Sequence, residues 1–191
     1  MWLVMLLPVI TAGASFTAMS RMMFNIREEK PAGVVLFYKT FAEEFGKSTL
    51  LWLIALILPA AVLALYLFTE VTSTAVLTLI FAAVVLWLLV FLYAFPLNAF
   101  FDNTVGTTLK NSMMMSLSYL KYTVPALAIS MLPVFVYMLI GKYYFLYSVP
   151  VWIFILLPLM EYWKSYFFLK VFYEYVPEER RLAFSENEPE K

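Results

Sequence analysis

Residues 1–24 read "MWLVMLLPVITAGASFTAMSRMMF", with no charged side chain before Arg21. Whether this stretch is a signal peptide to be cleaved or a membrane helix that stays decides where every later loop lies. A helix needs roughly 20 apolar residues to cross about 30 Å of hydrocarbon, and residues 2–20 meet that length. A signal peptide needs a positive segment ahead of its apolar run, and none is present. Cleavage near the small residues Ala12, Gly13 and Ala14 would also leave Arg21, Arg27, Lys30, Lys39 and Lys47 in an exported loop. Short loops rich in Lys and Arg stay on the cytoplasmic side. The stretch therefore reads as a retained first span, held at its inner end by Arg21 and Arg27.

Four more stretches free of Asp, Glu, Lys and Arg follow, at 48–69, 75–97, 122–141 and 143–160. The stretch at 75–97 belongs to a longer apolar run in which Val71 to Thr74 fall in the turn after Glu70, while Pro96 marks a kink or an end. The last is only marginally long, and its other reading is a buried or interfacial helix. Of the thirteen Lys and Arg, only Lys142 falls on the side opposite the rest. That imbalance predicts an outside N-terminus and a cytoplasmic C-terminus. The fold class expected is all-α, a polytopic transmembrane bundle of about five spans within one domain, residues 1–176. A charged tail, 177–191, contains "SENEPEK" and reads as disordered.

The composition agrees. Of 191 residues 64% are hydrophobic and 19% aromatic, and the mean hydropathy is +0.85, far above the roughly 45–50% apolar content of soluble domains. Thirteen acids balance thirteen bases, so net charge implies no nucleic-acid partner. There is no Cys and no His, which removes the commonest general base, metal ligand and thiol nucleophile. No enzymatic activity, metal or cofactor is expected.

Two stretches between spans are patterned. In "AGVVLFYKTFAEEFGKS", residues 32–48, Phe37, Phe41 and Phe45 recur on one helical face with Val34 and Tyr38, while Lys39, Glu43, Glu44 and Lys47 lie largely elsewhere. This predicts an amphipathic helix over about 33–46 that either lies in the headgroups or docks a partner. In "YAFPLNAFFDNTVGTTLKNSMMMSLSYLK", residues 93–121, a second stripe of Leu109, Met113, Leu117 and Leu120 predicts a helix over about 105–120. Asp102 or Asn103 is the expected cap of that helix. The same stretch puts Pro96, Asn98, Asp102, Asn103, Thr104 and Asn111 next to hydrocarbon, where each polar group needs a partner. Met113 to Met115 point around a helix rather than to one centre, so they read as packing.

In the first span, Thr11, Gly13, Ala14, Ser15, Thr17 and Ala18 form a small-residue surface suited to close helix approach, and Pro8 removes one intrahelical donor. Glu161 and Lys164 share a face at the inner end of the last span, as an ion pair within an aromatic belt.

Taken in order, "MWLVMLLPVITAGASFTAM", "FYKTFAEEFGKSTLLWL" and "YAFPLNAFFDNTVGTTLKNSMMMSL" resemble the YesL-like family of bacterial membrane proteins. The residues that carry the likeness are Pro8, Thr11, Gly13, Phe41, Phe45, Phe95, Pro96, Asp102, Leu109, Lys110 and Asn111. The chain departs from the family in lacking a basic residue near Phe100 or Phe101. The resemblance implies a multi-pass protein of the bacterial cytoplasmic membrane, often encoded beside carbohydrate ABC importers. An accessory or scaffold role next to such a permease follows as an expectation, with self-association as a second kind of contact. Its docking face would combine Phe37, Phe41, Phe45, Leu109, Met113 and Leu117. The rival expectation is a small-solute or sugar transporter using Thr11, Asn98 and Asp102.

Overall fold

The computed structural model describes residues 2–68 and 73–176, with side chains from Ile10 onward except at 140, 142, 143 and 145. The turn around Glu70, the tail 177–191 and the side chain of Pro8 lie outside the described residues. Among them every regular element is helical. The order is α1 (Trp2–Arg27), α2 (Val34–Glu43), α3 (Phe45–Phe68), α4 (Thr74–Phe100), α5 (Val105–Ser118), α6 (Leu120–Ser130), α7 (Leu132–Val151) and α8 (Leu157–Phe172). A π-helical turn, Trp152–Leu156, joins α7 to α8.

Four helical stretches are long and apolar enough to cross a membrane: Phe45–Phe68, Thr74–Phe100, Leu120–Leu139 and Leu146–Tyr175. To these α1 adds a helix of 26 residues, about 39 Å at 1.5 Å per residue. It runs past the expected end at residue 20 because both of its bases find partners. Arg21 donates to the carbonyl of Ala99, and Arg27 donates to the carbonyl of Tyr162 at 2.7 Å and to Ser165 Oγ at 2.9 Å.

The division between the fourth and fifth spans falls inside α7. There Gly141 has φ 74° and breaks the helical path, a conformation glycine adopts without a Cβ penalty. The fifth span, expected over 143–160 and only marginally long, instead continues as a helical path of 30 residues, Leu146–Tyr175. It can do so because Glu161 and Lys164 pair with each other and Ser165 receives Arg27. Pro158 cannot donate to a carbonyl four residues back, and the turn before it is wound as the π-helix. Pro96 neither ends nor interrupts α4, which runs through it to Phe100.

The packed core sits at one end of the bundle. Phe24, Tyr93, Leu97, Phe168, Leu169 and Phe172 are buried there, with Tyr93 edge-on to Phe168 at 5.0 Å and Phe24 edge-on to Phe172 at 5.9 Å. Such aromatic pairs add about 0.5–1.5 kcal/mol each beyond their burial. Arg21, Arg27, Lys47 and Asp102 lie at this same end, called here the charged end. Away from it, α3 and α4 expose Ile57, Leu63, Phe68, Leu79 and Phe81. A helix apolar on every side is stable where its surroundings are hydrocarbon.

Helix α5 turns back along α4 and is inverted relative to a soluble amphipathic helix. It buries Thr108, Ser112 and Ser116 together with Met115, and exposes Met113, Met114 and Leu117. Small polar residues permit close helix contact while large apolar ones face lipid. Its cap is Thr104, whose Oγ1 accepts from the Thr107 amide at 3.3 Å, and not Asp102 or Asn103. Asp102 is drawn instead to Lys47.

Candidate functional site

At the charged end, α1 and α3 meet at Gly13. A Cβ on Gly13 would lie 2.3 Å from the Ser48 carbonyl oxygen and 2.7 Å from Trp52 Cβ. Ala14, Thr17 and Ala18 continue the same buried face. This approach lets Ser48 Oγ donate to Thr17 Oγ1 at 2.8 Å. Asn98, buried on α4, then donates through Nδ2 to Ser48 Oγ at 3.2 Å and to the Glu44 carboxylate at 3.1 Å. A polar seam thus ties α1, the end of α2, α3 and α4. Asn98 Oδ1, Thr108 Oγ1 and Ser112 Oγ are buried and have no hydrogen-bond partner among the described residues.

Asp102 is outside this seam, with its side chain 90% exposed and paired to Lys47. The hydrogen bond from Lys47, reinforced by its charge, holds the Asp102 carboxyl below the usual carboxylate range. Thr11 is half-buried on α1, six residues before Thr17, or about 9 Å along the axis. Its carbonyl accepts from Ser15 Oγ at 3.0 Å. Asn111 is half-buried on α5. Phe95 is buried, tilted against Phe16 at 5.7 Å and Trp52 at 6.1 Å. Of the three polar groups expected along a transport path, Asn98 is buried in the seam, whereas Asp102 is exposed and paired to Lys47.

A groove of about 270 Å³ opens beside the seam between α1, α4, α6 and α8. Phe16, Trp87, Phe91 and Phe95 form much of its wall, with Pro96 beside them and Glu161 and Lys164 at one edge. The side chains of Glu161 and Lys164 are only 12% and 11% exposed. Sequence spacing identified the pair, but four separate helices build the groove around it, and no local pattern signals that.

The expected docking face divides in two. On α2, Phe37 and Phe41 are half-buried and stacked, ring centroids 6.4 Å apart, with Thr40 buried between them in sequence. Its outward apolar residues are Val34, Val35 and Tyr38, Val35 being 84% exposed, while Phe45, expected in the same helix, is the first residue of α3 because α2 ends at Glu43. On α5, Met113 and Leu117 are exposed and Leu109 is half-buried. Sequence periodicity found α2 but not that it would pack against α1.

All-helical architecture, spanning lengths and lipid-type exposure define a multi-pass membrane protein. Residues 1–67 match the family described as "Protein of unknown function, DUF624", which includes the YesL-like proteins. Neither a curated protein nor a solved structure matches the chain.

Proposed function

We propose that this protein is a non-catalytic accessory component of a bacterial cytoplasmic-membrane complex for carbohydrate uptake, docked on an ABC permease through α2 and α5. The observation that carries the reading is the set of outward apolar residues on each helix, Val35 and Tyr38 on α2 and Met113 and Leu117 on α5. Two short helices holding such residues outward can present anchors to a neighbouring membrane protein. The polar groups of the seam, by contrast, are used largely in joining helices to one another. The absence of His and Cys from the sequence further favours a non-catalytic role.

A transporter reading draws on Thr11, Asn98 and Asp102, and the exposure of Asp102, outside the seam that holds Asn98, counts against it. The test is co-purification with the permease from native membranes. Replacing Val35 and Tyr38 with Ser should lower recovery of the permease about tenfold, the loss of one good anchor, with membrane insertion unchanged. Equal recovery would overturn the docking reading.

A further inference from the structure

The groove beside Glu161 and Lys164 is a second site, separate from the α2 and α5 surfaces. Its wall is apolar and aromatic, yet one edge carries a nearly buried carboxylate and ammonium. Their mutual contact leaves unused capacity, since an ammonium has three donors and a carboxylate two acceptor oxygens. The Arg27 guanidinium reaches the carbonyl of Tyr162 and Ser165, in the same turn. Charge from the charged end therefore extends to the edge of the groove, where a lipid headgroup would meet it.

We propose that this groove binds one membrane lipid with a zwitterionic amine-phosphate headgroup. Its phosphate accepts from Lys164, its ammonium donates to Glu161, and an acyl chain lies along Phe16, Trp87, Phe91 and Phe95. A paired anion and cation complement a headgroup that carries both charges. An anionic headgroup satisfies Lys164 but meets Glu161 with like charge, and a choline headgroup offers Glu161 no N–H donor.

The full-length protein, delipidated in mild detergent, would be titrated with phosphatidylethanolamine, phosphatidylcholine or phosphatidylglycerol and analysed by native mass spectrometry. One phosphatidylethanolamine should bind about tenfold more tightly than either of the others, the scale of one charge-assisted hydrogen bond. Glu161→Gln should abolish that preference, and Lys164→Met should weaken all three lipids. Leu88→Trp, which fills the groove without touching the charges, should exclude the lipid. Elution volume and thermal midpoint would confirm that each variant is folded, and Glu161→Gln is the decisive one should Lys164→Met fail to fold. Equal affinity for the three lipids, or a preference that survives Glu161→Gln, would overturn the proposal. So would soluble phosphoethanolamine binding as tightly as the lipid, which would assign the site to a free headgroup compound.

Discussion

Gly13 is where one missing methyl group determines how two helices meet. Adding a Cβ there would press on the backbone carbonyl of Ser48 as well as on Trp52, so neither a rotamer change nor a small side-chain shift relieves the clash. Gly13→Ala should cost about 2–3 kcal/mol, the upper range for overpacking a well-formed contact, read as a lowered midpoint in a denaturant titration. Gly106→Ala is the matched comparison. It lies in α5 with open space around the added carbon, so it should gain about 0.5–1 kcal/mol. A similar loss from both would show that the α1–α3 approach is not what Gly13 permits. The small-residue pattern made this contact legible in sequence. Its consequence was not, because Thr17, Ser48 and Asn98 are far apart in the chain and only the close approach brings their hydroxyls and amide together.

Among the elements, the turn between α4 and α5 shows how far local pattern reaches. An uncharged apolar run marked α4 and periodicity marked α5, with Asp102 or Asn103 as the expected cap, but the cap is Thr104. Asp102, as good a cap by residue type as Asn103, is diverted by Lys47, more than fifty residues earlier in sequence. That pair joins the start of α3 to the α4–α5 turn. Because the Asp102 carboxyl titrates below its unfolded value, its stabilising contribution is complete above about pH 4 and disappears as pH falls through the lower folded value. Wild type should therefore melt above Asp102→Asn at pH 7 and in step with it at pH 2. The difference at pH 7 should also shrink in high salt, since the pair is exposed. A gap that persists at pH 2 would show that the charge pair is not its origin. The fifth span carries a related lesson. Charges at residues 161 and 164 suggest an end to the apolar helix when read locally, but each supplies the other's partner and the helix continues.

For the whole molecule, the distribution of Lys and Arg and the position of the core point the same way. Arg21 closes on the Ala99 carbonyl near the end of α4, Arg27 on α8 and Lys47 on the α4–α5 turn. The buried aromatic cluster lies at that end, while Gly141 turns the chain at the other. Basic residues concentrated at one end of a bundle set its orientation during insertion, so the charged end is expected to face the cytoplasm. The chain has no Cys, which allows single introduced thiols to report the arrangement without background. Glu29→Cys, in the connection between α1 and α2, should resist a membrane-impermeant maleimide in intact cells and react after permeabilisation. Lys142→Cys, beside the Gly141 turn, should react in intact cells. The reverse pattern would place the charged end outside and overturn the orientation expected from the Lys and Arg distribution. Labelling of both sites in intact cells would mean that the connection at Glu29 and the turn at Lys142 lie on one side, a result incompatible with the three crossings expected from α3 to Leu139.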